Sequence, residues 1–217
     1  MSFIKKALRK NRFTARLLNI YFLNRFYLEP KGWTESRFTG QSIDGNNEPI
    51  PWFSYACIHF ISARILPAKK LTVYEYGMGN STKWFAQRAK HVVSVDHDKS
   101  YFEYISPIIA KIKNAKAFLE EDTNNGYIKH LQQQETAFDI IVIDGRNRNA
   151  CAPVALSKLT SRGVIIWDNS DRPEYQPGIQ KILDAGFRKI DFHGHSPISF
   201  EETMTSIYYK EGNCLDI

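Results

Sequence analysis

Residues 73–84 read VYEYGMGNSTKW. A run of β-branched and aromatic residues carries an acid, Glu75. Gly77 and Gly79 follow, and then a helix-like stretch. This is the strand–turn–helix order of a nucleotide-binding βα unit, in which glycines let the backbone turn tightly and approach a ligand closely. Two details weigh against a loop built for phosphates. A P-loop needs Gly-Lys-Ser/Thr, and here Gly79 is followed by Asn80. A dinucleotide fingerprint wants a third glycine near position 82, where Thr82 stands.

Outward from this loop the chain alternates. Strands are expected at LTVYEY, HVVSVD, AKAFLE, FDIIVID, GVIIWD, FRKIDFH and TMTSIYYK. Helices are expected at STKWFAQRA, at SYFEYISPIIAKIK (interrupted or begun near Pro107), and at GYIKHLQQQ, ACAPVALSKL and PGIQKILDA; none separates the last two strands. The near-continuous apolar runs IIVID and VIIWD mark strands covered on both faces. The order predicts an α/β fold: a doubly wound, Rossmann-like, mostly parallel seven-stranded sheet with an antiparallel last strand, helices on both faces and an N-terminal helical arm. Upstream, a helix is expected over about 51–66. The chain is expected to divide into a basic arm and pocket-covering loop (1–66) and a ligand-binding domain (67–217).

The charge is uneven. The chain of 217 residues carries +6, yet residues 1–37 alone sum to +7 and the remainder to −1. The basic character therefore belongs to the arm, and no nucleic-acid partner is expected of the domain. Phe3, Ile4, Ala7 and Leu8 share a helical face that Leu18, Tyr21 and Phe22 continue, while Lys5, Lys6, Arg9 and Lys10 point elsewhere. Such a helix either packs on the domain with its basic face in water, or docks on a partner or an anionic membrane surface. The longest apolar stretch of the arm, LLNIYFL, is far short of the ~20 residues a span requires. Nothing reads as a signal peptide. Cys57, Cys151 and Cys214 are far apart and form no C-x-x-C, so reduced thiols and a cytoplasmic location are expected, with the arm at most peripheral to the inner membrane face.

In a doubly wound sheet, ligands bind at the carboxyl ends of the strands, near the switch point. Glu75, Asp96, Asp144 and Asp168 all stand at or near strand ends. Asp96 follows the glycine loop by about 20 residues, where an acid pairs with ribose hydroxyls; the alternative is a cap for a helix starting near Lys99. A ribose without a demanding phosphate is the remaining requirement.

Here the chain resembles the class I S-adenosylmethionine-dependent methyltransferases, from about Leu71 to the C-terminus. EYGMGNS looks like that family's acidic-x-Gly-x-Gly loop, VVSVDHD like its ribose-binding acid, and the final strand pair like its extra antiparallel strand. The resemblance implies that Glu75, Gly77, Gly79 and Ser81 surround the methionine and ribose portion of S-adenosylmethionine. It implies that Asp96 holds the ribose, and that Asp122 or Glu121, in FLEEDT, accepts from the adenine amino group.

Methylation of base amines commonly shows an Asn/Asp-Pro-Pro-aromatic signature after the fourth strand, where this chain reads VIDGRNR. The motifs IVIDGRNR and VIIWDNSD instead bring Asp144, Asp168 and Asn169 to neighbouring strand ends. Three hard oxygen ligands suit Mg²⁺ or Mn²⁺, and a cation there would activate a hydroxyl. The pattern resembles the cation-dependent O-methyltransferases of the catechol and caffeoyl-CoA type. Where that family usually has a lysine, this chain has Arg146, Asn147 and Arg148. Arginine is a poor base but a good fork for anions. Asp144, His97 or a metal-bound hydroxide is then the candidate base, and Arg146 and Arg148 recognise an anionic substrate or stabilise the loop. Without a cation, Asp144 and Asp168 would bond loop backbone.

His193 and His195 lack further zinc ligands, so a loop or substrate-edge role is expected. Trp33, Trp52 and Tyr55 either roof the acceptor pocket or anchor the arm. The expected activity is methyl transfer to a hydroxyl of a small molecule or glycan. The alternatives are an NAD(P)-dependent oxidoreductase, against which the missing glycine and the absence of a Tyr-x-x-x-Lys pair count, and a non-catalytic module targeted by its arm.

Overall fold

A computed structural model describes residues 11–217 of the protein. The apolar face expected over Phe3, Ile4, Ala7 and Leu8, and its basic counterpart over Lys5, Lys6, Arg9 and Lys10, lie outside the described residues.

Among the described residues, seven strands form one sheet in the order β3-β2-β1-β4-β5-β7-β6. They are β1 (Thr72–Tyr76), β2 (His91–Asp96), β3 (Ala115–Leu119), β4 (Phe138–Ile143), β5 (Leu159–Asp168), β6 (Arg188–His195) and β7 (Glu202–Tyr209). β1 to β5 are parallel, and β7 runs antiparallel to both β5 and β6. The doubly wound sheet with a reversed last strand is thus as expected. β7 slots inside β6, which becomes an edge whose exposed residues include Arg188, Lys189 and Asp191; charges of this kind discourage edge-to-edge pairing.

Alternate residues of the central strands enter two separate cores. Val73, Val92, Ile140, Val142, Val164 and Ile166 face one side, and Tyr74, Tyr76, Val93, Ile141, Ile143, Ile165 and Trp167 the other. Both sides are apolar because both are covered, which is why the strands read as continuous hydrophobic runs. The helices α4 (Asn80–Ala86) and α5 (Lys99–Ile109) cover the first face; α6 (Gly126–Gln132), α7 (Arg148–Lys158) and α8 (Gln176–Asp184) cover the second. Right-handed crossovers require this split, because the strand order winds outward from β1 in one direction and then returns through β4 in the other. The gap between β1 and β4 is the switch point.

Local chemistry moves some expected boundaries. α5 starts on Asp98, whose Oδ1 accepts the N–H of Tyr101 at 2.9 Å. It runs through Pro107 to Ile109, so the expected interruption is absent. Pro107, the ninth of its eleven residues, forfeits one intrahelical N–H bond, and the helix ends two residues later. α3 (Tyr55–Ser62) is shorter than the expected helix and is capped by Ser54. Ile50, Phe53, Tyr55, Cys57, Ile58, Ile61 and Ile65 share a core with Val73 and Trp84. The domain's core therefore begins near Ile50, upstream of the expected boundary at residue 67.

The arm comprises α1 (Arg12–Leu23), a π-helical turn (Asn24–Leu28), a 3-10 turn (Glu29–Lys31) and α2 (Trp33–Thr39). α1 buries no residue. α2 is anchored to the β6–β7 loop: Trp33 Nε1 donates to the Ser199 carbonyl at 3.0 Å, and the Arg37 guanidinium lies 3.6 Å from the Phe200 ring centre. Among the described residues, no helix is long and apolar enough to cross a membrane. All three cysteines are free and buried.

Candidate active site

The carboxyl ends of β1, β2, β4 and β5 open into one cavity of about 530 Å³. Glu75, Gly77, Gly79, Ser81, Asp96, Asp144, Arg146, Arg148, Asp168 and Asn169 all line it. The segment preceding α3 contributes Ser42 and Trp52 to the lining, and the β6–β7 loop contributes Ser196 and Ile198. The volume lies within the range of small-molecule sites.

Glu75 is fully buried within β1, on the face opposite Tyr74 and Tyr76. Its Oε2 accepts from Ser94 Oγ at 2.7 Å, and Ser94 Oγ stands 3.1 Å from Thr82 Oγ1. With the Ser94 proton directed at an ionised Glu75, Thr82 donates to Ser94, and Thr82 Oγ1 accepts the N–H of Gly79 at 3.1 Å. The threonine that replaces a third glycine therefore ties the loop to the acid. Burial pushes the Glu75 carboxyl up to about 7, against the opposing pull of the Thr82 and Ser94 hydroxyls. Glu75 Oε1, Asn80 Oδ1 and Ser196 Oγ are buried without a hydrogen-bond partner among the described residues, and all three residues line the cavity. Buried polar atoms in native folds are nearly always paired, so the cavity presents unmet hydrogen-bonding capacity to a ligand.

Two glycines are obligatory in this loop. Gly77 has φ 101° and Gly79 φ 153°, a region L-residues rarely adopt. A Cβ on Gly79 would also lie 2.7 Å from the Tyr101 hydroxyl. Asp96 does not cap α5, a task that Asp98 performs. Asp96 Oδ2 accepts the N–H of Met78 at 3.1 Å, and Oδ1 accepts those of His97 and Asp98 at 2.7 and 3.0 Å. It thus holds the glycine loop against the end of β2.

On the other side of the cavity, Arg148 is buried, contrary to the expectation of a substrate-facing fork. Its Nε donates to the Gly145 carbonyl at 2.9 Å, and Nη2 to the Asp144 carbonyl and Oδ1 at 3.0 and 3.1 Å. Nη1 donates to the Asp168 carbonyl. Arg148 clamps the ends of β4 and β5 together, which is the loop-stabilising alternative. Arg146 and Arg172 are exposed and line the cavity, with no ion-pair partner among the described residues. Arg146 Nε lies 3.2 Å from His97 Nε2, and His97 Nδ1 lies 3.2 Å from Asp96 Oδ1. Because arginine only donates, His97 Nε2 must be the acceptor, which occupies the lone pair a base would use.

Asp144, Asp168 and Asn169 line the same cavity, and each already has a partner within the fold. Asp144 already pairs with the Arg148 guanidinium, Asp168 Oδ1 accepts from Thr205 at 2.6 Å, and Asn169 turns its amide onto Thr203 at 2.9 Å. Among the described residues, no group of three His, Cys, Asp or Glu gathers as a metal site. Burial raises the Asp144 carboxyl, and the nearby arginines only partly offset it. Burial and the neighbouring Asp144 hold Asp168 well above the usual carboxylate range.

Several expected residues lie elsewhere. Asp122 and Glu121 are exposed and off the cavity; Asp122 Oδ1 accepts the N–H of Asn124 at 3.1 Å, closing the turn into α6. Trp52 lines the cavity and is 47% exposed, whereas Trp33 is an anchor and Tyr55 is core. His193 sits 3.4 Å from Glu202 across the hairpin, away from the cavity. Sequence reasoning missed Thr82 and Ser94 as supports for Glu75, and Arg172 altogether. A serine and a threonine in a strand and a helix carry no motif, and only the register Glu75–Ser94 joins them.

Sheet order, glycine loop and strand-end acids together define a Rossmann-like, doubly wound α/β fold with a reversed last strand. The solved structures agree. The O-methyltransferase TomG from Streptomyces achromogenes, in complex with SAM, is similar over 89% of this chain and 96% of its own, at 14% identity and a TM-score of 0.56. Precorrin-6y C5,15-methyltransferase from Geobacter metallireducens covers 72% and 87%, at 14% identity and 0.55. The precorrin 8w decarboxylase of Methanobacterium thermoautotrophicum covers 70% and 88%, at 16% identity and 0.52. At such identities the likeness is one of fold. No protein-family model and no curated protein matches the chain.

Proposed function

We propose that the protein is a class I S-adenosylmethionine-dependent methyltransferase that methylates a hydroxyl of a small molecule or glycan bearing an anionic group. One observation carries this reading: Glu75, the Gly77–Gly79 loop and Asp96 converge on one cavity at the switch point, with buried acceptors left unpaired. A methyl donor of this kind offers an ammonium and two ribose hydroxyls, the donors that Glu75 Oε1 and Asn80 Oδ1 lack; Asp96, whose oxygens already accept three backbone N–H groups, keeps lone pairs for the ribose. When bound, it supplies an electrophilic methyl on a sulfonium. The fold's similarity to TomG, solved with SAM, supports the same reading.

Every further role belongs to the chain's own side chains. Arg148 holds the Asp144 carboxylate at the mouth of the acceptor side. Asp144, made more basic by burial, takes the hydroxyl proton. Trp52 offers the acceptor a flat apolar wall, and Arg146 and Arg172 face its anionic group. Holding acceptor and donor in line supplies up to ~7–11 kcal/mol of the barrier. Calorimetric titration tests the donor assignment: S-adenosylmethionine and S-adenosylhomocysteine should bind and NAD should not, and the reverse result would overturn it. Turnover should survive EDTA, because Asp144 answers to an arginine rather than a metal; loss of activity on chelation, restored by Mg²⁺, would contradict this.

A further inference from the structure

The arm is inside out. α1 and the turn after it expose Phe13, Leu17, Ile20, Leu23 and Phe26; Phe13, Ile20 and Phe26 are 67%, 63% and 70% exposed. Phe13, Leu17 and Ile20 stand at i, i+4 and i+7, one face of the helix. Packing a helix on a domain buries its apolar face; here that face points outward, and no residue of α1 is buried. Arg12 and Arg16 stand beside it without an ion pair among the described residues. This is a deliberate-looking combination only in a setting where apolar and basic groups are both satisfied.

Charge selects the occupant. Residues 1–37 sum to +7 and the rest of the chain to −1. Two arms brought together would repel, and the body of a second copy carries a net charge of only −1 to set against the arm's +7. A surface with acidic headgroups above an acyl layer satisfies both requirements, with aromatic and aliphatic side chains at the headgroup boundary and arginines on the phosphates. We propose that Arg12–Leu23 and the turn that follows dock the protein on an anionic lipid surface.

Flotation of the full-length protein with vesicles tests this. Binding is expected to phosphatidylcholine vesicles containing phosphatidylserine, not to phosphatidylcholine alone, and should fall as salt approaches about 1 M. Replacing Leu17 and Ile20 together by Asp should weaken binding about tenfold or more. The same variant should bind S-adenosylmethionine as the unaltered protein does, which shows that the fold is intact. Failure of the unaltered protein to float with acidic vesicles would overturn the proposal. So would a Leu17→Asp/Ile20→Asp variant that floats equally well. Sedimentation velocity reads the rival occupant: a dimer that this variant dissociates would assign the face to a second copy and likewise overturn the proposal.

Discussion

Glu75 concentrates the chemistry of the site. A carboxyl raised to about 7 by burial is protonated in acid, yet the proposed ligand brings N–H donors and positive charge to it. Such a ligand binds the ionised form. Affinity for S-adenosylmethionine should therefore climb with pH and level off above about 7, falling about tenfold for each pH unit below. Titration in buffers of different ionisation enthalpy should show proton release on binding near pH 6. Across the cavity, Asp144 must be ionised to take a proton. The ascending limb of kcat/KM against pH should lie above the usual carboxylate value of about 4. Asp144→Asn should cost about 10²-fold or more in kcat with donor affinity intact. A variant that kept its turnover would move the base elsewhere.

At the scale of elements, the site depends on how strand ends are joined. Arg148, at the start of α7, bonds three carbonyls and one carboxylate from the ends of β4 and β5. Arg148→Ala strands these acceptors in a buried place and should destabilise the fold by about 3 kcal/mol or more. Arg148→Lys should recover little, because an ammonium cannot span the fork. Chemical denaturation reads both. The β1–α4 turn makes a comparable demand. Gly79→Ala puts a methyl group against the Tyr101 hydroxyl at a left-handed φ and should cost about 1–3 kcal/mol while weakening donor binding. The same element shows what pattern reading sees and misses. Glycines spaced by one mark a turn at any distance, whereas the Thr82–Ser94–Glu75 chain joins residues from α4, β2 and β1. It exists only once β1 and β2 pair in register.

For the molecule as a whole, buried acids at a single sheet edge make stability depend on pH. Glu75 titrates higher when folded than when unfolded, so its contribution is complete below the ordinary carboxylate value and is lost as pH rises through about 7. That amounts to about 3 kcal/mol. Urea midpoints should fall between pH 5 and pH 8. Glu75→Gln should flatten part of that slope, and a wild-type midpoint that is level with pH would refute it.

The sequence alone determined the sheet. Strand periods, two glycines and acids at strand ends are local signals, and right-handed crossovers leave few ways to assemble them. It also placed Glu75, Asp96, Asp144, Asp168 and Asn169 at one edge, because parallel strands share a carboxyl end. Tertiary structure decided what those groups do there. Whether Arg148 faces a substrate or a carbonyl, whether Asp122 reaches the cavity or closes a turn, and whether the apolar stripe of α1 looks inward or outward depend on atoms distant in sequence. Direction and burial of a side chain are set by its neighbours in space, and those neighbours are fixed only when the chain closes on itself.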